Sequence, residues 1–322
     1  MDSKKPAQSK VTRTFKPTGS PVIAPTTAPT EYPIDYEALH LNKTLLDQVH
    51  CSKPEQCPEQ KIFGKFSIRS TSMIDVNRKI LMEFTAKAGC TYAVSMFLDE
   101  IGFHLKTHYD LFPHTFRIDY YFHRCGMATP CMYTDPSWYR FKVVRNPYDR
   151  AVSSYIHICR SPSIAGEIID PANLGTLSFR MFLDILLNFS PEVMDYLANE
   201  HAAYQASAYE RHVYFHNQRH PNERIQLFHH IVKLETVDED LEKYVNPATA
   251  SHYAPSFKGN HLAPRHNSTH YFVGDTPWSQ LKKNIPEDYG LFYNTHLKDL
   301  VTKIYFWDIV MYNYTFPFII PN

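Results

Sequence analysis

"EFTAKAGCTYAVSMFLDEIGF", residues 83–103, reads as the end of a buried strand, a tight Lys-Ala-Gly-Cys-Thr corner and an amphipathic helix. Strand, loop and helix in that order hold an anion where free N–H groups and the helix dipole meet. The corner is not a Walker A loop. That motif needs G-x-x-x-x-G-K-[ST], whereas the order here is Lys87-Ala88-Gly89-Cys90-Thr91, with no four-residue spacer and no lysine directly before the threonine. What remains is a compact nest: the N–H groups of Ala88 to Thr91, a threonine hydroxyl, and a dipole worth about 0.5–2 kcal/mol to an anion. Lys87 sits at the lip, where an ammonium can neutralise charge on a leaving group. The competing reading is an ordinary strand-to-helix turn with a surface lysine.

A second corner lies downstream. "VVRNPYDRAVSSY" (143–155) again reads as strand, turn and helix, with Pro147 at the first helical turn. Arg145 ends the strand, and Ser153 follows eight residues later on the helix. An arginine fork and a hydroxyl together grip a terminal phosphate. The alternative for Arg145 is an internal salt bridge. Arg150 and Asp149 read as a local charged pair or a solvated face. Two such corners point to a ligand with two separate phosphate groups.

The rest of the chain supplies more alternating elements. "RKILMEF" (78–84), "YRFKVVR" (139–145) and part of "IQLFHHIVKLE" (225–235) read as buried strands. Helices are expected from Thr91 to about Gly102, over 148–158, 178–189 and 236–245, and over a long 293–314 segment with a break before its aromatic end. This is the pattern of an α/β domain, with a mostly parallel central sheet flanked by helices on both faces. Residues 1–35 are rich in Pro, Thr, Ser and Lys and predict a disordered tail. Residues 35–49 have helical spacing, the ordered core is expected from near residue 61, and 36–322 reads as a single domain.

The 33 basic and 33 acidic residues cancel, so composition gives no reason to expect a nucleic-acid partner. No apolar run reaches the roughly 18 residues of a transmembrane helix, and the N-terminus has no apolar signal region. The expected compartment is the cytoplasm. Of the six cysteines, Cys51/Cys57 and Cys125/Cys131 share one short spacing that is not a common zinc spacing. In a cytoplasmic protein they are expected as reduced thiols, and one or two disulfides would signal an oxidising compartment.

Together, Lys-Ala-Gly-Cys-Thr after a strand and Arg-Asn-Pro-Tyr-Asp-Arg-Ala-Val-Ser-Ser-Tyr downstream resemble the two cofactor signatures of PAPS-dependent sulfotransferases. The likeness is to the carbohydrate branch that includes the chondroitin and dermatan 4-O-sulfotransferases. Every fixed position of that family's R-x-P-x-x-R-x-x-S-x-Y is present, as Arg145, Pro147, Arg150, Ser153 and Tyr155. Weaker similarity follows in "VKLETVDEDLEKY" (232–244), "PRHNST" (264–269) and "YFWDIVMYNY" (305–314). The likeness covers about residues 78–314, with unmatched stretches at 103–138 and 156–198. It departs from the family at "EHAAYQ" (200–205), where relatives carry His-Trp-x-Pro-Gln, and in the N-terminal anchor of the Golgi relatives, which is not seen here.

The resemblance implies a P-loop-NTPase-like sulfotransferase fold and in-line sulfuryl transfer from PAPS to a hydroxyl of a carbohydrate or small-metabolite acceptor, with no metal required. It implies that Lys87 stabilises the leaving oxygen, and that Ala88, Gly89, Cys90 and Thr91 hold the 5′-phosphate. Arg145 and Ser153 then hold the 3′-phosphate, and Arg265, Asn267 and Ser268, with His266, lie near the nucleotide. The acceptor needs a base. His201 is the first candidate, against His104, His108 and Glu235, which is alternatively structural. The competing functions are a P-loop phosphotransferase, which needs a Walker lysine, and a noncatalytic nucleotide-binding module, which would not need Lys87.

Overall fold

Four strands make one sheet in the order β1-β2-β3-β4. The computed structural model describes residues 51, 53–54, 72–103, 113–195, 197, 200–253 and 271–318. β1 (Ser72–Asp75) and β2 (Ile80–Phe84) form an antiparallel hairpin. Asp75 closes its turn by accepting from the N–H groups of Asn77 and Arg78 at 3.0 and 3.1 Å. α1 (Cys90–Glu100) follows, then β3 (Tyr139–Val144), α2 (Pro147–Arg160), α3 (Phe179–Leu186), α4 (Ala208–Arg219), β4 (His230–Lys233), α5 (Thr295–Ile304) and α6 (Phe306–Tyr312). β2, β3 and β4 run parallel, so the sheet is mostly parallel and the domain is α/β, as expected.

β1 is the strand that the sequence did not announce. It is only Ser-Met-Ile-Asp, too short for periodicity to register. The long C-terminal segment is two helices, with the expected break at Tyr305, where φ is −101° and ψ 32°. The break has a use: buried Asp308 accepts from the N–H groups of Gln205 and Ala206 at 3.0 and 2.8 Å.

One cluster of buried side chains joins α2, α3 and α5 through Tyr155, Phe179, Phe182, Leu297 and Val301. Another joins β1, β2 and α4 through Ile74, Leu81, Tyr209 and Val213. Within the sheet, Glu83 and Lys142 are register partners on β2 and β3, and both side chains are wholly buried. Lys142 Nζ donates to Glu83 (2.7 Å), Glu210 (2.5 Å) and the Gln205 carbonyl (2.7 Å). Tyr133, Tyr209 and Tyr312 donate to the same carboxylates, so the buried charges are hydrogen-bonded as well as paired.

Cys51 and Cys125 are joined by a disulfide with Cα atoms 5.3 Å apart, and Cys131 is also disulfide-bonded. The expectation of reduced thiols therefore fails for these three. Spacing along the chain did not show the pairing, because residues 74 apart in sequence are brought together by the fold. Cys90 and Cys159 are free. No helix among the described residues is long and apolar enough to cross a membrane. The expected tail (1–35), the helix at 35–49, Cys57, His104, His108 and the segment holding Arg265, His266, Asn267 and Ser268 all lie outside the described residues.

Candidate functional site

The three parallel strands end on the same side of the sheet, and their following segments, 85–89, 145–146 and 234–236, come together there. Open α/β sheets bind ligands outside the carboxyl ends of their strands. After β2 the chain turns at Thr85–Ala88, closed by an Ala88 N–H to Thr85 carbonyl bond of 3.0 Å. Two residues of this turn are left-handed: Lys87 at φ 65° and Gly89 at φ 76°. For lysine that conformation costs about 1–2 kcal/mol. Gly89 leaves no room for a side chain: a Cβ there would lie 2.6 Å from Leu234 Cδ1. α1 starts at once at Cys90, with no side chain capping it. The N-terminal N–H groups of α1 are thus open to a ligand. The Thr85 hydroxyl at the base of the turn is buried and has no hydrogen-bond partner among the described residues.

The strained turn is held from outside by two guanidiniums. Arg145 Nη1 donates to the Lys87 carbonyl at 3.3 Å, and Arg150 Nε donates to the Ala86 carbonyl at 3.0 Å. Arg150 corrects the expectation of a solvated face. It is 0% exposed, and its other nitrogens donate to the Ala203 and Glu200 carbonyls at 2.6 and 3.1 Å. It faces inward because those backbone oxygens point at it. Tyr155, another fixed position of the motif, is also structural: it is buried, with its hydroxyl on the Leu177 carbonyl at 2.9 Å.

Arg145 is 8% exposed, and no carboxylate among the described residues pairs with it. The alternative of an internal salt bridge therefore does not hold there. Its backbone is fixed by Gln205, whose side chain accepts from the Arg145 N–H and donates to the Arg145 carbonyl, both at 2.7 Å. Asn146 caps α2 by accepting from the Tyr148 N–H, Pro147 fills the first turn, and the Asn146 N–H donates to Glu235 at 2.6 Å. Glu235 also accepts from the Tyr314 hydroxyl at 3.1 Å, so its carboxylate ties loops together. Ser153 stands half-buried on α2, with no hydrogen-bond partner among the described residues.

The electrostatics of the pocket favour an anion. Burial pushes the Lys87 ammonium below its ordinary value; the nearby Cys90 thiol opposes this, and Arg145, Arg150 and Arg160 press it further down. No carboxylate among the described residues pairs with Lys87. Two unpaired cations, open helix N–H groups and two unpartnered hydroxyls fit a ligand carrying two phosphate groups.

Two histidines, His114 and His157, interact with Lys87, and a third, His201, lies against His157. His201 lies flat against His157, with ring centroids 4.2 Å apart and planes 16° apart. His114 Nε2 is 3.3 Å from the Thr91 hydroxyl. Burial lowers His114 to about 4, helped by Arg117, Lys87 and His201. Burial lowers His157 to about 4 as well, helped by Lys87, His201 and Arg160. Both are therefore neutral near pH 7. The expected site residues Lys87, Ala88, Gly89, Cys90, Thr91, Arg145, Ser153 and His201 thus meet in one place. Gln205, His114 and His157 were not foreseen. Gln205 stood in the quoted "EHAAYQ", but its partner, the Arg145 backbone, is visible only in three dimensions. His114 belongs to the unmatched 103–138 stretch.

A model of the sulfotransferase family matches residues 71–315, which span all four strands and both corners. No curated protein and no solved structure matches the chain. The match covers most of the chain and carries sulfuryl transfer as its general activity. The chain belongs to the sulfotransferase family.

Proposed function

We propose that this protein transfers a sulfuryl group from PAPS to a hydroxyl of a carbohydrate or small-metabolite acceptor. The observation that carries this reading is Lys87, a half-buried cation without a carboxylate partner among the described residues, held at the lip of an open helix N-terminus by Arg145 and Arg150. PAPS, when bound, supplies an activated sulfur–oxygen bond next to its 5′-phosphate. The N–H groups of Ala88 to Thr91 and the Thr91 hydroxyl would hold the 5′-phosphate. Arg145 and Ser153 would hold the 3′-phosphate. Lys87 would neutralise the charge that builds on the leaving oxygen, which stabilises the transition state more than the ground state. His201 would take the proton from the acceptor hydroxyl.

The direct test is transfer of label from 35S-PAPS to a panel of sugars and small hydroxylated metabolites. A labelled product from the native protein is expected, with kcat lowered about 100-fold or more in Lys87→Ala. A nucleotide-binding module without activity would bind adenosine 3′,5′-bisphosphate and label nothing. A phosphotransferase would instead use ATP with Mg²⁺.

The Cys51–Cys125 bridge supports folding in an oxidising compartment, set against the cytoplasm that the N-terminal sequence suggested. A thiol count on protein from its native source tests this. Two reactive thiols after denaturation would fit bridges that persist in the cell; six would place the chain among reduced proteins.

A further inference from the structure

His201 is held in place more firmly than a surface histidine. Ser154 Oγ donates to its carbonyl at 2.6 Å. Arg150 binds the carbonyl of the residue before it, Glu200, and the carbonyl of the residue before Lys87, Ala86. One buried guanidinium therefore ties the His201 turn to the Lys87 turn. The ring of His201 is then covered on one face by His157, from the last turn of α2.

We propose that His157 is the positioning residue of the base: its flat contact excludes water from one face of His201 and fixes the ring toward the acceptor. This rests on the sulfuryl-transfer reading for the fate of the proton. As the acceptor oxygen bonds to sulfur, its proton passes to a ring nitrogen of His201. The bond from sulfur to the bridging oxygen breaks, and its electron pair stays on that oxygen beside Lys87. The proton then leaves to water.

The charged groups that face His157 and the nearby His114 are mostly cations. Lys87 faces both His157 and His114, Arg160 faces His157 from the end of α2, and Arg117 faces His114. Glu200 is the neighbouring acid and acts on Arg117. His157 stays uncharged down to about pH 4, so across the working range it acts on His201 by covering it and not by repelling it. Uncovering a ring lets water stabilise its charged form and raises its titration midpoint.

The test compares His157→Ala with His157→Phe, which keeps a flat ring but cannot titrate. It has two readouts. The first is the histidine ring signal in 13C-labelled protein without substrate, with His201 assigned by its loss in His201→Asn. The midpoint of His201 is expected to rise by about 0.5–1 pH unit in His157→Ala and to return toward the native value in His157→Phe. The second is the pH profile of transfer. The acid limb of kcat should move up with the same midpoint in His157→Ala, kcat at neutral pH should fall about tenfold, and KM for PAPS should hold within about twofold. His157→Phe should recover most of that loss. An unmoved His201 midpoint in His157→Ala, or equal effects of Ala and Phe, would overturn the proposal. A loss seen in KM alone would overturn it too. If the protein transfers no sulfate at all, the transfer reading fails while the ring titration still decides whether His157 governs His201.

Discussion

Lys87 and Gly89 share one turn and one left-handed conformation, for different reasons. Gly89 adopts it without penalty and must lack a side chain because Leu234 presses against it. Lys87 adopts it under strain, held by the carbonyl bonds from Arg145 and Arg150. Gly89→Ala should therefore lower stability by about 1–3 kcal/mol in urea melts and weaken bisphosphate binding. Adding Leu234→Ala should relieve the contact but not the backbone strain, so only part of the binding returns. The histidines make a separate prediction. His114 and His157 have values near 4 when folded, against about 6.5 when unfolded. Between those values the unfolded chain takes up protons that the folded chain refuses, so stability falls as pH falls from about 6.5 to about 4. Thermal melts from pH 7.5 to 4.5 should show a smaller drop in Tm for His114→Asn with His157→Phe than for the native protein.

The strands set the chemistry by where they stop. β2, β3 and β4 each deliver one piece of the site at the same edge: the Lys87 turn, Arg145, and Leu234 with Glu235. Their alignment depends on the Glu83–Lys142–Glu210 network buried between β2, β3 and α4. Lys142→Met would leave two buried carboxylates without their cation and should cost about 3–5 kcal/mol, read by denaturant unfolding. The apolar strands themselves were legible, because short apolar runs bounded by turn residues read as buried strands. The charged pair inside them was not. Glu83 and Lys142 lie far apart in the chain, and only the parallel register sets them opposite each other. The burial of Arg150 was missed for a similar reason. Its local sequence offers Asp149 as a neighbour, whereas its acceptors are carbonyls from the 86 and 200–203 segments.

The fold class and the two anion corners could be read from local sequence, because strand, turn and helix N-terminus are local events. The closure of the site could not, since Gln205, His157 and His114 act through contacts between distant segments. The disulfide is another long-range event, fixing residue 51 to the end of the 113–125 helical run. Cys125→Ser should lower stability by about 2–4 kcal/mol; reductant should lower the native protein by more, because it also opens the bridge at Cys131, and the variant by only the remaining part. Thermal melts with and without reductant check this.

In the proposed function, Lys87, Arg145 and the nest before α1 form a site for a nucleotide with separate 3′ and 5′ phosphates. Calorimetric titration with adenosine 3′,5′-bisphosphate tests it most directly, beside ATP with Mg²⁺ and an Arg145→Ala control. Tight bisphosphate binding that is lost in Arg145→Ala, with ATP ignored, is the predicted result. A folded native protein that ignores the bisphosphate, or that prefers ATP, would rule this site out.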